Sequence, residues 1–397
     1  MKSGYLLNKI PTATYLGLNV ICWGIATACT GAAQNYPTLI AARVILGIFE
    51  SAIAPCLTLI SSQWYTKSEQ APRFSFWYCG LGAGQITGGI ISYGFQKVTN
   101  ASLESWRIMF IFLGAFTVLT GIIVLMWLPN TPQTARFLNE EETNAILEHV
   151  AQNQIGVQTR EFKISQVFEL LLDVQFWLLA GMTMLSSISS GVVTTYSAIL
   201  ISGFGFKPDA AALLNIPSGV VSIVATLVVG FGVRYTHNGH RWLWIILSCI
   251  PGTLGGGLMS FLPSKPPHIN KAGLLASIYM INAVVTVMAI VFQWAASNIG
   301  GQTKRTASLA LIAASFSVGN IIGPQTFQAK DAPNYLPAKI SLLATQGGCA
   351  LCALTLYLYY RFVNHRRDKA ASGASSEATE VSGNVTDKQN PNFRYVY

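Results

Sequence analysis

Apolar positions along the chain gather into long runs bounded by charge, proline or polar clusters. The runs lie at approximately 15–33, 38–64, 74–96, 106–128, 175–203, 209–233, 242–263, 272–300, 306–328 and 337–364. A helix of about 20 residues crosses a hydrocarbon layer of about 30 Å. The pattern therefore predicts an all-α multi-pass membrane protein with about ten transmembrane helices.

The longest polar interval between runs, 129–174, opens PNTPQTARFLNEEETNAILEHV. Pro129 and Pro132 stop the preceding helix, and 134–148 has the apolar spacing of a short amphipathic helix. The chain thus reads as a segment 1–14, a four-span bundle 15–128, a central loop 129–174, a six-span bundle 175–364 and a tail 365–397. Carriers are often built from two bundles of equal span number. Four plus six resembles six plus six with one helical hairpin lost, so the first two helices are expected to be missing. The tail contains HRRDKAASGASSEATEVSGNVTDKQNPN, whose polarity predicts disorder.

Composition agrees with a membrane class: 51% of the 397 residues are hydrophobic and 10% charged, against roughly 25% charged in soluble domains. The net charge of +9 does not point to nucleic acid, because Lys and Arg sit mostly at span ends and in the tail. Alternating the loops puts Lys2, Lys9, Lys67, Arg73, Arg234, Arg241, Lys304, Arg305 and the basic residues of 361–369 on one side. The positive-inside rule makes that side the cytoplasm, with both termini there. The first fourteen residues lack an apolar core long enough for a cleavable signal.

Candidate chemistry is sparse. All seven cysteines fall in apolar runs and read as small buried hydrophobes, including Cys349 and Cys352 with their CxxC spacing. His237 and His240 lie in a short turn without a third ligand, and Asn100 heads a glycosylation sequon in a loop placed outside. No Ser/His/Asp set, phosphate loop or metal cluster is visible, which argues against an enzyme and against a metal or organic cofactor.

Two charges stand out. In AARVILGIFESAIAPC, Arg43 and Glu50 are the Asp, Glu, Lys or Arg residues well inside an apolar run, whereas Arg107, Asp209, Lys339 and Arg361 lie near run ends and can snorkel. A charge near the bilayer centre costs several kcal/mol, so a retained pair reads as functional. Seven positions is about two helical turns, placing both on nearly one face, roughly 10 Å apart along the axis. Arginine offers a permanently charged fork for a carboxylate, and a glutamate in such a place can gain and lose a proton. The alternative is that the two pair with each other and fix helix packing.

Neutral polar residues inside runs are further candidates for a cavity wall: Gln85, Tyr196, Asn215, Gln293, Asn298 and Asn320, with helix-to-helix hydrogen bonding an equal use for each. Gly80, Gly84 and Gly88 in GLGAGQITGG are spaced by four and predict close helix packing.

The stretch RVILGIFESAIAPCLTLISSQWYTKSEQAPR resembles the fourth helix and following loop of the anion:cation symporter family within the major facilitator superfamily. GYLLNKIPTATYLG, PNTPQTARFLNEEE, QWAASNIGGQTKR and GNIIGPQTFQAKDAPNYLP are similar to its fungal allantoate and vitamin permease branch. The resemblance implies an alternating-access carrier that takes up small organic anions, such as allantoate or nicotinate, with protons and with no cofactor beyond the proton gradient. It implies that Arg43, in the RxxxGxxE pattern, contacts the substrate carboxylate and that Glu50 handles the proton. It also implies a monomer in the plasma membrane. A non-transporting receptor on the same fold and an inactive truncated product are the alternatives.

Overall fold

The structure is a computed structural model and describes residues 10–65, 73, 76–98, 102–151, 163–236, 240–263, 269–331, 335–372 and 385–397. Asn100 and His237 lie outside them. Among the described residues the chain is helical throughout, and nine helices are long and apolar enough to cross a membrane. The run at 74–96 contributes a shorter helix, Gly80–Gln96. Chain contacts divide the molecule into two units, residues 1–73 with 91–156 and residues 74–90 with 157–397.

The first unit contains α1 (Thr12–Thr30), α2 (Tyr36–Glu50), α3 (Ile53–Trp64), the end of α4 (Gly80–Gln96), α5 (Ser105–Trp127) and α6 (Glu140–Ala151). Its tightest seam joins α1 to α5. A Cβ on Gly24 would stand 2.7 Å from the Val118 backbone nitrogen, and one on Gly114 would stand 2.6 Å from that of Ala28. Gly17 and Gly121 make the same approach one heptad away, so the helices meet through small residues where lipid offers no hydrophobic drive. Asn35 and Thr38 form a capping box that starts α2. None of the α2 residues is buried within the structure. The amphipathic helix foreseen at 134–148 begins later, at Glu140, because Pro132–Thr134 forms a 3₁₀ turn and the Glu142 carboxylate accepts from the Asn139 N–H.

The second unit contains the first part of α4, α7 (Ile164–Leu171), α8 (Val174–Gly203), α9 (Pro208–Leu214), α10 (Ile216–Tyr235), α11 (Arg241–Phe261), α12 (Lys271–Ile281), α13 (Thr286–Asn298), α14 (Gln302–Gln325) and α15 (Leu336–Ser372). Its core includes Met182, Ile245, Val287, Trp294, Cys349 and Tyr360, all buried. Two spans are broken. Asn215 separates α9 from α10, and a 3₁₀ stretch, Asn282–Val285, separates α12 from α13. Interrupted helices of this kind expose backbone polar groups that only protein or a wet cavity can satisfy.

Two sequence expectations change here. The glycines that pack are Gly82 and Gly89, not Gly80, Gly84 and Gly88. A Cβ on Gly82 would lie 2.5 Å from the Gly219 carbonyl and one on Gly89 2.9 Å from that of Ala212, whereas the other three face open space. The face turned to α10 selects a seven-residue spacing over the four-residue one. This contact also places the first half of α4 with the second unit, which the sequence division at 129 did not foresee.

The tail is the second correction. Residues 365–372 continue α15, and residues 385–397 lie against the second unit with Thr386, Asp387 and Tyr395 buried. Averaged over the whole tail, polarity hides the closing aromatic cluster Phe393, Tyr395 and Tyr397 and the one carboxylate that finds a buried cation.

Candidate functional site

In the first unit, α2 carries Arg43 and Glu50 two turns apart, and both are exposed. The Arg43 guanidinium stands 5.0 Å from the ring centre of Phe110 on α5, a cation–π contact that orients the fork without occupying its hydrogen-bond donors. Among the described residues no ion pair or side-chain hydrogen bond engages either group. The two are therefore not joined as a contact ion pair. An unspent guanidinium can grip a carboxylate with two parallel N–H donors, and an unspent carboxylate two turns along the helix can exchange a proton.

The second unit brings one of the sequence candidates, Gln85, into a polar cluster. Gln85 lies on the same face of α4 as Gly82 and Gly89, and its Nε2 donates to Asn282 Oδ1 at 3.3 Å. Asn282, at the α12–α13 break, is buried and donates to the Ile278 carbonyl. The Ser222 hydroxyl donates to the Asn282 carbonyl at 3.4 Å. Gln85 Oε1 and the buried Ser218 Oγ have no partner. A polar cluster with two unfilled positions can take a water or a polar group of a solute. Sequence reading missed Asn282 and the serines. An asparagine in IYMINAVVTV was the available signal, but no pattern marks a helix break there.

The other candidates stay separate. Tyr196 on α8 stacks on Phe327 at 4.2 Å between ring centres, and Phe327 stacks on Tyr335 at 3.9 Å. Asn320 donates to the Phe316 carbonyl and packs against Gly191. Asn215 serves the α9–α10 junction through its backbone, its carbonyl accepting from Ser218 N. The Gln293 carbonyl accepts from the Ser297 hydroxyl.

Asn298 is corrected. It is fully buried, its Nδ2 donates to the Val396 carbonyl and its Oδ1 accepts from the Val396 N–H, both at 2.8 Å. Both ends of its amide are taken by the chain's own tail, so it does not face a solute in this arrangement.

A charged cluster that sequence reading assigned to a loop surrounds Lys304, in the first turn of α14 and fully buried. Its ammonium meets Asp173 Oδ2 at 2.7 Å, Asp387 Oδ1 at 2.7 Å and Glu169 Oε1 at 3.0 Å. Lys339, expected to snorkel, is also buried, with 6% of its surface exposed. Among the described residues no group of His, Cys, Asp or Glu has a metal-holding arrangement.

Comparison with known proteins places this geometry. The Major Facilitator Superfamily model matches residues 3–324. The chain is 37% identical to the thiamine pathway transporter THI73 of Saccharomyces cerevisiae, over 99% of this chain and 74% of that protein. It is 30% identical to the allantoate permease of the same yeast, over 96% of this chain and 72% of that one. Among solved structures, the proton:xylose symporter XylE superposes with a TM-score of 0.64 at 16% identity, covering 88% of this chain and 79% of that one. That likeness concerns the fold.

Proposed function

The chain belongs to the Major Facilitator Superfamily of membrane transporters, not to an enzyme family, and from that premise we propose that it moves a small organic anion together with a proton. The observation that carries this reading is the Arg43–Glu50 pair on α2, two charges without a structural partner other than the Phe110 ring. A structural ion pair would be closed; this one is open. Arg43 binds the carboxylate of the solute through its fork. Glu50 takes a proton from the outer side, which removes the negative charge that would repel the arriving anion, and gives it up on the inner side. Release of proton and anion together returns the pair to its charged state.

The 30% identity with an allantoate permease supports allantoate or a similar carboxylate as the solute class. The loop charge bias supports cytoplasmic termini, and the family resemblance supports the plasma membrane as the site.

The test is uptake of radiolabelled allantoate, nicotinate, thiamine and cysteine into vesicles holding the full chain, with and without an imposed pH gradient. Gradient-driven uptake of the carboxylates is the expected result. Arg43→Ala should lower carboxylate uptake about tenfold to hundredfold, the range of a charge-assisted hydrogen bond worth about 1.5–3 kcal/mol. Glu50→Gln should leave binding intact and abolish dependence on the gradient. Uptake indifferent to both changes, or thiamine as the sole solute taken up, would overturn the anion reading.

A further inference from the structure

The tail segment 385–397 ties together one end of the second unit. Asp387 is the central knot. Its Oδ1 accepts from Lys304 Nζ at 2.7 Å and from the Gly300 N–H at 3.2 Å, and its Oδ2 from Gln175 at 2.9 Å and the Tyr395 hydroxyl at 2.7 Å. The fit at Gly300 is close: a Cβ there would lie 2.5 Å from Asp387 N. Further along, Trp294 Nε1 donates to the Val396 carbonyl, Asn364 Nδ2 donates to the Tyr395 carbonyl, and Arg367 donates to the carbonyls of Asp387 and Phe393. The Tyr395 ring stacks on Tyr360 at 4.6 Å. The ends of α8, α13, α14 and α15 are thereby joined by one short segment.

Two features make this joint removable. It is shallow: Lys388, Gln389, Pro391, Asn392 and Val396 remain exposed along the segment. And its departure does not strand the buried cation, because Lys304 keeps Asp173 and Glu169, while Asp387 regains water. A buried ion cluster whose members remain paired when one leaves contributes more to choosing an arrangement than to net stability. The segment's apolar hold is confined to Phe393, Tyr395 and Tyr397, and the rest of it is held by polar contacts, as in elements that open below the global stability.

We propose that residues 385–397 form a reversible strap, docked through Asp387 on the Lys304 cradle, whose release frees the starts of α8 and α14 to rearrange. Alternating access requires helix ends of a bundle to shift, so a docked strap acts as a brake on that shift at this end. The strap is a property of the second unit and does not depend on which solute is carried.

Amide hydrogen exchange on the full chain in lipid nanodiscs tests it without any substrate, so failure of the anion reading leaves the result unaffected. In Asp387→Asn, exchange at the Tyr395 and Val396 amides should accelerate about tenfold or more, the scale expected for lost charge-assisted hydrogen bonds. The first turns of α8 and α14 should accelerate with them, and α2 and α5 should not change. Tyr395→Phe, which keeps the ring stack and removes one donor, should give the same pattern with a smaller factor and guards against misfolding of the first variant. Unchanged exchange at Tyr395 and Val396 in both variants would refute the strap. Faster exchange confined to the tail, with α8 and α14 unaffected, would refute the brake.

Discussion

Arg43 and Lys304 are both cations set on helices of a membrane protein, yet their surroundings are opposite. Arg43 is exposed on a helix with no buried residue and faces an aromatic ring. Lys304 is fully buried with three carboxylate partners. The difference separates a charge available to a ligand from one consumed by structure. A desolvated ammonium is tolerable only with its counter-ions in place, and an arginine kept without them in an apolar helix retains its full capacity to bind an anion. The two units differ in the same sense: the α8 span is 67% buried within the structure, against 12% for the span that contains α2.

Neutralising each cation in turn is the severest way to break this comparison. Lys304→Met leaves the buried Asp173 with only the exposed Lys388 ammonium at 3.4 Å as counter-ion and should destabilise the protein by about 3–5 kcal/mol. Arg43→Met, the same chemical change on an exposed site, should shift stability by no more than about 0.5 kcal/mol while lowering carboxylate uptake about tenfold to hundredfold. Thermal melting of the purified carrier, run beside uptake, checks both; equal losses of stability would erase the distinction.

The packing contrast gives a smaller effect. Gly82→Val drives a side chain into the Gly219 backbone and should cost about 1–3 kcal/mol as overpacking. Gly84→Val, two residues along and on the opposite face of the same helix, meets open space and should leave the melting midpoint unchanged.

The smallest effect is a pH dependence of the strap. Burial, reinforced by the Asp387 carboxylate, pushes the Tyr395 phenol above the ordinary tyrosine range. A group whose pKa is raised on folding contributes stability that is complete below its unfolded value, about 10 for tyrosine, and declines as pH rises towards the folded value. The strap should hold to about pH 10 and loosen above it, read as tyrosinate absorbance alongside exchange at Val396. Tyr395→Phe should abolish this alkaline step.

Helix placement was largely legible from the chain, because a membrane span announces itself by length and apolarity alone. The Arg43–Glu50 pair was legible for the related reason that charge is rare in such runs. The neutral candidates fared unevenly. Gln85 found Asn282, but Asn298 proved to be an anchor for the tail, since an amide in a helix carries no mark of what will satisfy it. Lys304 was read as a loop cation because its three carboxylates come from α7, the start of α8 and the tail, far apart in the chain. The tail itself was read by average composition, which cannot see that Asp387 and Tyr395 are spaced to close on one cradle.

By itself, the sequence determined the class of molecule, the helices and the presence of two charges within one apolar run, all of which depend on local hydropathy and on spacing within one helix. Tertiary structure alone decided which glycines touch, where a span breaks against Asn282 and which cation is saturated. These depend on partners distant in the chain, and the cost of leaving a buried polar group unpaired is settled only when the partner arrives.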